Sequence, residues 1–145
     1  MQNNELTREK DQIQKLAQRA RALIARTLCL ETSDAFSLML GYNGFCLQIE
    51  IIELHPVLVI NLSRQLSRFP ASRTLRIVNV MNLKTPHGSH AVNMIEGSYS
   101  YRCAHWIDDG FTRELFLRIL HSCANEASRA YARLDNARET IDEND

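Results

Sequence analysis

No stretch of the chain approaches the roughly 20 consecutive apolar residues that a membrane-spanning helix needs, so no span is expected. Neither sign of charge dominates, because 17 Lys and Arg stand against 17 Asp and Glu. The basic excess that draws a chain to nucleic acid or to an anionic membrane surface is missing, and neither partner is expected. Glycine-rich phosphate loops and the G-x-S-x-G nucleophile elbow are absent, which removes two common catalytic signatures. The amino terminus, Met1-Gln2-Asn3-Asn4-Glu5, is polar and runs into charged helix. It lacks the apolar run of a signal peptide, so the cytoplasm is the expected location. The four cysteines, Cys29, Cys46, Cys103 and Cys123, have neither zinc-site nor redox-motif spacing. Each sits among apolar residues, and four reduced, buried thiols are expected.

What is present is enough for one ordinary domain. At 145 residues a fold buries roughly 68–70% of its unfolded surface and needs no staples. The expectation is a single domain over 1–145 with an ordered core at about 10–134. Residues 5–30 read as helix: Ile13, Leu16, Ala17, Ala20, Leu23, Ile24 and Leu28 recur at three- and four-residue spacing. Glu31-Thr32-Ser33-Asp34 ends that pattern. Phe36, Leu38 and Leu40 then alternate with Ala35, Ser37 and Met39, and Gly41-Tyr42-Asn43-Gly44 reads as a hairpin turn. Phe45, Leu47, Ile49 and Ile51 alternate with Cys46, Gln48 and Glu50 as a half-buried strand. His55-Pro56 breaks it, and 57–62 is a third strand. Residues 63–72 read as a polar loop or a loose helical turn, and 73–84 as a helix stopped by Pro86, His87 and Gly88. Residues 90–95 and 99–106 form a hairpin around Glu96-Gly97-Ser98. Asp108-Asp109-Gly110 is a turn, and Thr112 caps a last helix striped by Leu115, Phe116, Ile119, Leu120, Cys123, Ala127, Ala130, Tyr131 and Leu134. Residues 135–145 are expected to fray.

The fold class is therefore α+β, in the order α-β-β-β-α-β-β-α, with a five-stranded antiparallel sheet packed against helices. Val78-Asn79-Val80-Met81-Asn82, the Gly88 turn, Gly97, Tyr101-Arg102 and Thr112-Arg113-Glu114-Leu115 follow one another along this order. With these segments the chain resembles the YbjN-like family, bacterial proteins often called sensory-transduction regulators, within the type III secretion chaperone-like fold. The resemblance implies no active site, because that family has none established.

The residues themselves offer little chemistry. His87 and His90 lie close together, yet no carboxylate occurs between 85 and 95, so a solvated turn is expected there and no metal site. Cys103 and His105 share one strand face, but side chains two apart are expected to stand too far apart for a direct hydrogen bond. Asp108 and Asp109 read as turn residues at a helix start. No catalytic residue, cofactor or metal is assigned. Arg64, Arg68, Tyr99 and Tyr101 are the candidate partner-binding surface, with Arg73 and Arg76 extending the positive edge. The helix at 73–84 carries apolar residues on two faces. Its face of Ile77, Val80 and Met81 is the candidate homodimer interface, as the resemblance also implies. The function expected is a non-catalytic protein-interaction module, regulatory or chaperone-like, with a protein partner. The alternative is a small-molecule sensor with a pocket between sheet and helices, and a pocket is what separates the two.

Overall fold

The computed structural model describes residues 2–30, 37–52 and 55–142. Helix α1 (Gln2–Thr27) turns Ala17, Ala20, Ile24 and Ala25 into the core, as its spacing demands. Residues 2–12 are exposed throughout. The helix stops earlier than its composition suggests. The Leu30 N–H bonds the Ala25 carbonyl at 2.8 Å, and the Cys29 N–H bonds that of Arg26 at 3.2 Å. This is a Schellman cap, and Cys29 occupies its left-handed position at φ 55, where glycine is usual. The expected stop at 31–34 and the expected strand start at Ala35 and Phe36 lie outside the described residues.

Strands β1 (Ser37–Tyr42) and β2 (Phe45–Ile52) are joined by two residues, Asn43 at φ 49 and Gly44 at φ 80. Two successive positive φ values are what the right-handed twist of a tight hairpin asks for. Gly41 is therefore not in the turn, as expected from its sequence, but pairs with Cys46. Strand β3 (Val57–Gln65) likewise runs three residues past the expected end, because Ser63, Arg64 and Gln65 find partners in Ser100, Tyr99 and Ser98. Helix α2 (Ser72–Lys84) opens with the Ala71 N–H donating to the Thr74 hydroxyl at 3.1 Å. Strands β4 (Ser89–Asn93) and β5 (Ser98–Trp106) form the second hairpin. Helix α3 (Arg113–Asp142) begins where the Thr112 hydroxyl accepts the Leu115 N–H at 3.2 Å, so Thr112 is the cap its position implies.

The five strands make one antiparallel sheet in the order β1-β2-β3-β5-β4. Alternation then sorts every side chain to one of two faces. Leu47, Ile49 and Ile51 of β2 meet Leu62, Ile60 and Leu58 of β3, and these meet Tyr101, Cys103 and His105 of β5. That face is buried beneath α3, which packs on β3 and β5, beneath α1 at β2 and beneath α2 at β4. Phe116, Leu120, Ala124, Ala127 and Leu134 of α3 complete the core. On the other face no helix lies among the described residues.

Replacing Cys29 by glycine removes the strain of a left-handed non-glycine residue while keeping the cap. The Cys29→Gly variant is expected to gain about 1 kcal/mol, read as a raised urea midpoint at unchanged slope.

Candidate functional site

Two polar clusters interrupt the buried face; the sequence suggested neither as a unit, although it placed Cys103 and His105 on one strand face. The first centres on His90, which is 3% exposed rather than part of a solvated turn. The correction has a topological cause: β4 lies beside β5, and alternation points His90 inward against Tyr101. Its Nδ1 lies 2.7 Å from the Tyr99 hydroxyl, and its Nε2 lies 3.1 Å from the Thr85 hydroxyl and 3.2 Å from Glu126 Oε1. The Thr85 hydroxyl donates to the Met81 carbonyl at 2.8 Å, so it accepts from the ring. Nε2 thus carries the proton, donating to Thr85 and Glu126, while the Tyr99 hydroxyl donates to Nδ1. The carboxylate that was missing between 85 and 95 arrives from α3. Burial holds His90 below its ordinary pKa, against the opposing pull of Glu126. Burial likewise pushes the Tyr99 phenol up, with the Glu126 charge adding to it. Asn82 of α2 clamps the same residue from outside. Its side chain accepts the His90 N–H at 2.7 Å and donates to the His90 carbonyl at 2.9 Å, closing the edge of the sheet at that point.

The second cluster holds Cys103, His105 and Cys123. Cys103 Sγ lies 3.2 Å from His105 Nε2, so the direct contact judged too long for two residues on one strand does form. The imidazole is long enough to lean along the strand over its neighbour. Cys123 of α3 joins them, and the three donor atoms lie within 4.8 Å of one another. The Cys123 thiol donates to Cys103, and this with the neighbouring His105 outweighs burial and lowers the Cys103 pKa. Cys123, as donor and buried, is raised. Cys103 and Cys123 are each 3% exposed, so a bulky substrate has no approach to either sulfur. Cys29 and Cys46 are exposed, against the expectation that all four would be buried. Cys46 falls on the outer face by alternation, and Cys29 projects from the end of α1.

Tyr99 and Tyr101 do not form an exposed platform. They are 0% and 3% exposed, on the inward face of β5. Tyr101 donates its hydroxyl proton to the His87 carbonyl at 2.9 Å and stands against Gly88, where a Cβ would come within 2.5 Å of that oxygen. Gly88 at φ 72 therefore serves as both turn and clearance. Arg64 and Arg68 are exposed, and Arg64 stands directly opposite Tyr99 across β3 and β5. The Arg64 guanidinium lies 4.4 Å from the centre of the Tyr131 ring and 5.9 Å from that of Phe45. On α2, Met81 is 6% exposed and turns inward with Thr74 and Val78, so it is removed from the candidate interface. Ile77 is half-buried against the core, and Val80 is 40% exposed beside Leu83 at 87%. Arg73 and Arg76 are exposed.

On the outer sheet face, Ile52, Val57 and Trp106 stand in register across β2, β3 and β5. Trp106 is 75% exposed. No side-chain pattern in the sequence marked this row, because it joins residues 54 positions apart. The hollow between α1 and the turn at 107–111 holds about 300 Å³ and opens to solvent. Its charged lining includes Arg19 and Asp109, which pair with each other at 3.0 Å. Asp108 accepts the Gly110 N–H at 2.8 Å, the turn role read for it. No helix among the described residues is long and apolar enough to cross a membrane.

The chain matches no family model and no curated protein. Solved structures do resemble it. YbjN of E. coli, a candidate transcription regulator, superposes with a TM-score of 0.62 at 11% identity, over 79% of this chain and 90% of that one. The ExsC–ExsE complex contains a chain with a TM-score of 0.61 at 9% identity, over 85% of this chain and 93% of that one. The HopA1–SchA chaperone–effector complex contains one with a TM-score of 0.54 at 12% identity, over 74% and 85%. The fold is the type III secretion chaperone-like fold, in the element order read from the sequence. At these identities the likeness is one of fold.

The His90 cluster makes stability depend on pH. A histidine held below its ordinary pKa is neutral in the folded chain while the unfolded chain takes up a proton near about pH 6.5. Its contribution is complete above that pH and is lost as pH falls toward the folded pKa, at no more than about 1.4 kcal/mol per pH unit. Urea titrations of His90→Gln are expected to show lower stability at pH 7.5 and a shallower loss between pH 7 and 5 than the parent chain. Parallel pH profiles would mean that His90 titrates alike in both states.

Proposed function

We propose that the chain is a non-catalytic, cytoplasmic interaction module, regulatory or chaperone-like, that binds a protein partner. The observation that carries this reading is the in-register row of Ile52, Val57 and Trp106 on the sheet face over which no helix lies among the described residues. A tryptophan left three-quarters exposed beside two aliphatic neighbours exposes surface that a protein partner can desolvate. The fold neighbours support the same reading, because ExsC and SchA occur in complexes with other proteins. The small-molecule alternative needs an enclosed cavity with convergent polar groups. The hollow beside α1 is open, and the two convergent polar clusters are filled by their own members. The reading is tested by coupling the chain to resin and quantifying proteins retained from a bacterial lysate by mass spectrometry. A specific partner should fall by about tenfold or more with Trp106→Asp, the loss expected for a tryptophan hot spot, at an unchanged melting temperature. Equal recovery by both proteins would sink the reading.

Self-association through α2 forms part of the proposal, on a revised surface. Leu75, Val80 and Leu83 remain exposed, at 39%, 40% and 87%, on the side of α2 away from the sheet. Leu75 and Val80 have only part of their surface left to bury, so Leu83 supplies most of the gain, at roughly 1.5–3 kcal/mol for a fully buried side chain, and the dimer would be weak. Light scattering after size exclusion is expected to give twice the chain mass at micromolar concentration, and the chain mass for Val80→Asp combined with Leu83→Asp. A parent protein that elutes as a monomer would remove this part of the proposal.

A further inference from the structure

We propose that Cys103, His105 and Cys123 form a binding site for a thiophilic metal ion, for which Zn²⁺ is the probe. The argument is one of convergence. Strand β5 supplies a thiol and an imidazole from the same face, and α3 lowers a second thiol onto them. The three donor atoms lie within 4.8 Å of one another, and Cys103 Sγ and His105 Nε2 are already 3.2 Å apart. Around a tetrahedral ion with bonds of about 2.0–2.3 Å, donors stand roughly 3.5–3.8 Å apart. Small side-chain rotations therefore admit an ion at the centre of the three.

The donor set selects the ion. Two sulfurs and one imidazole nitrogen suit zinc and other soft or borderline ions, and disfavour calcium and magnesium, which want oxygen. Three protein ligands leave one coordination position for water or an exogenous group. His105 is half-buried while both cysteines are nearly inaccessible, so the imidazole is the ligand nearest solvent. The ring of Tyr101 lies next on the strand face, packed against His90 at 5.1 Å and tied to the His87 carbonyl, and it fixes the floor beside Cys103. Binding needs no oxidant. Each thiol releases its proton to solvent as its sulfur–metal bond forms. The spacing from 103 to 123 matches no metal motif because the ligands come from a strand and a helix that meet only in the folded chain.

The test uses the full chain, reduced, treated with a chelator and dialysed. It is titrated with Zn²⁺ against a chromophoric competitor, and with Co²⁺ to read thiolate charge-transfer absorption. One equivalent per chain is expected, with cobalt absorption typical of thiolate ligation. Affinity should fall by roughly tenfold or more in Cys103→Ser, Cys123→Ser and His105→Gln, and stay unchanged in Cys29→Ser with Cys46→Ser. Substitution of a buried cysteine also threatens the core, so the half-buried His105→Gln carries the decision, with circular dichroism of each metal-free variant as the control. Three results would overturn the site: no bound equivalent, zinc affinity unaltered by His105→Gln, or binding lost with the two exposed cysteines.

Discussion

The structure depends on the seating of α3 across the two longest strands. Strands β3 and β5 pair over nine residues, and their inward positions carry Leu58, Ile60 and Leu62 beside Tyr99, Tyr101 and Cys103. Helix α3 answers with Phe116, Leu120, Cys123, Ala124 and Ala127, all nearly inaccessible. The alanines matter as much as the large residues, since a small residue lets the helix approach while its neighbours fill the gaps. Each fully buried aliphatic or aromatic side chain here contributes roughly 1.5–3 kcal/mol. The outer strands and the other two helices are added around this unit: α1 borders α3 at one side, and α2 borders it at the other.

One face beneath the helices, and one over which no helix lies among the described residues, follow from that arrangement. A five-stranded antiparallel sheet can be stable with a single apolar side, provided the other tolerates water. Most of the outer positions obey, with Gln48, Glu50, Asn61, Ser63, Ser100 and Arg102 across the middle of the sheet. The row of Ile52, Val57 and Trp106 does not, and it lies at one end, where it can be covered without disturbing the polar centre. The outer face keeps its register because the inner face enforces it: a slip of one residue would carry Leu58, Ile60 and Leu62 into water.

Element order and core were legible in the sequence because they rest on periodicity. The stripe from Ile13 to Leu28 and the alternation from Phe45 to Ile51 name most of their buried residues in advance. What was misread depended on contacts distant in sequence. Ser63 to Gln65 look like loop until Ser98 to Ser100 pair with them. His90 looks like a turn residue until Glu126 arrives from 36 positions away. Tyr99 and Tyr101 alternate correctly, yet alternation alone does not say which face is covered. The α1 stop was missed because a cysteine fills the glycine position of its cap.

The two polar clusters belong to one mechanical arrangement. Cys123 and Glu126 are three residues apart on α3, hence on one side of the helix. One meets Cys103 and His105 on β5, and the other meets His90 on β4. Tyr101 stands between them, with its ring against His90 and its hydroxyl near Cys103. Apolar contacts bury the helix without fixing its rotation closely, because aliphatic surfaces tolerate small slides. Directional bonds at two successive contacts do fix it. With the Tyr131 hydroxyl on the Gln65 carbonyl at 2.8 Å further along α3, the two clusters hold the azimuth of the helix on the sheet. The two clusters, α1 and α2 thus all bear on the position of α3.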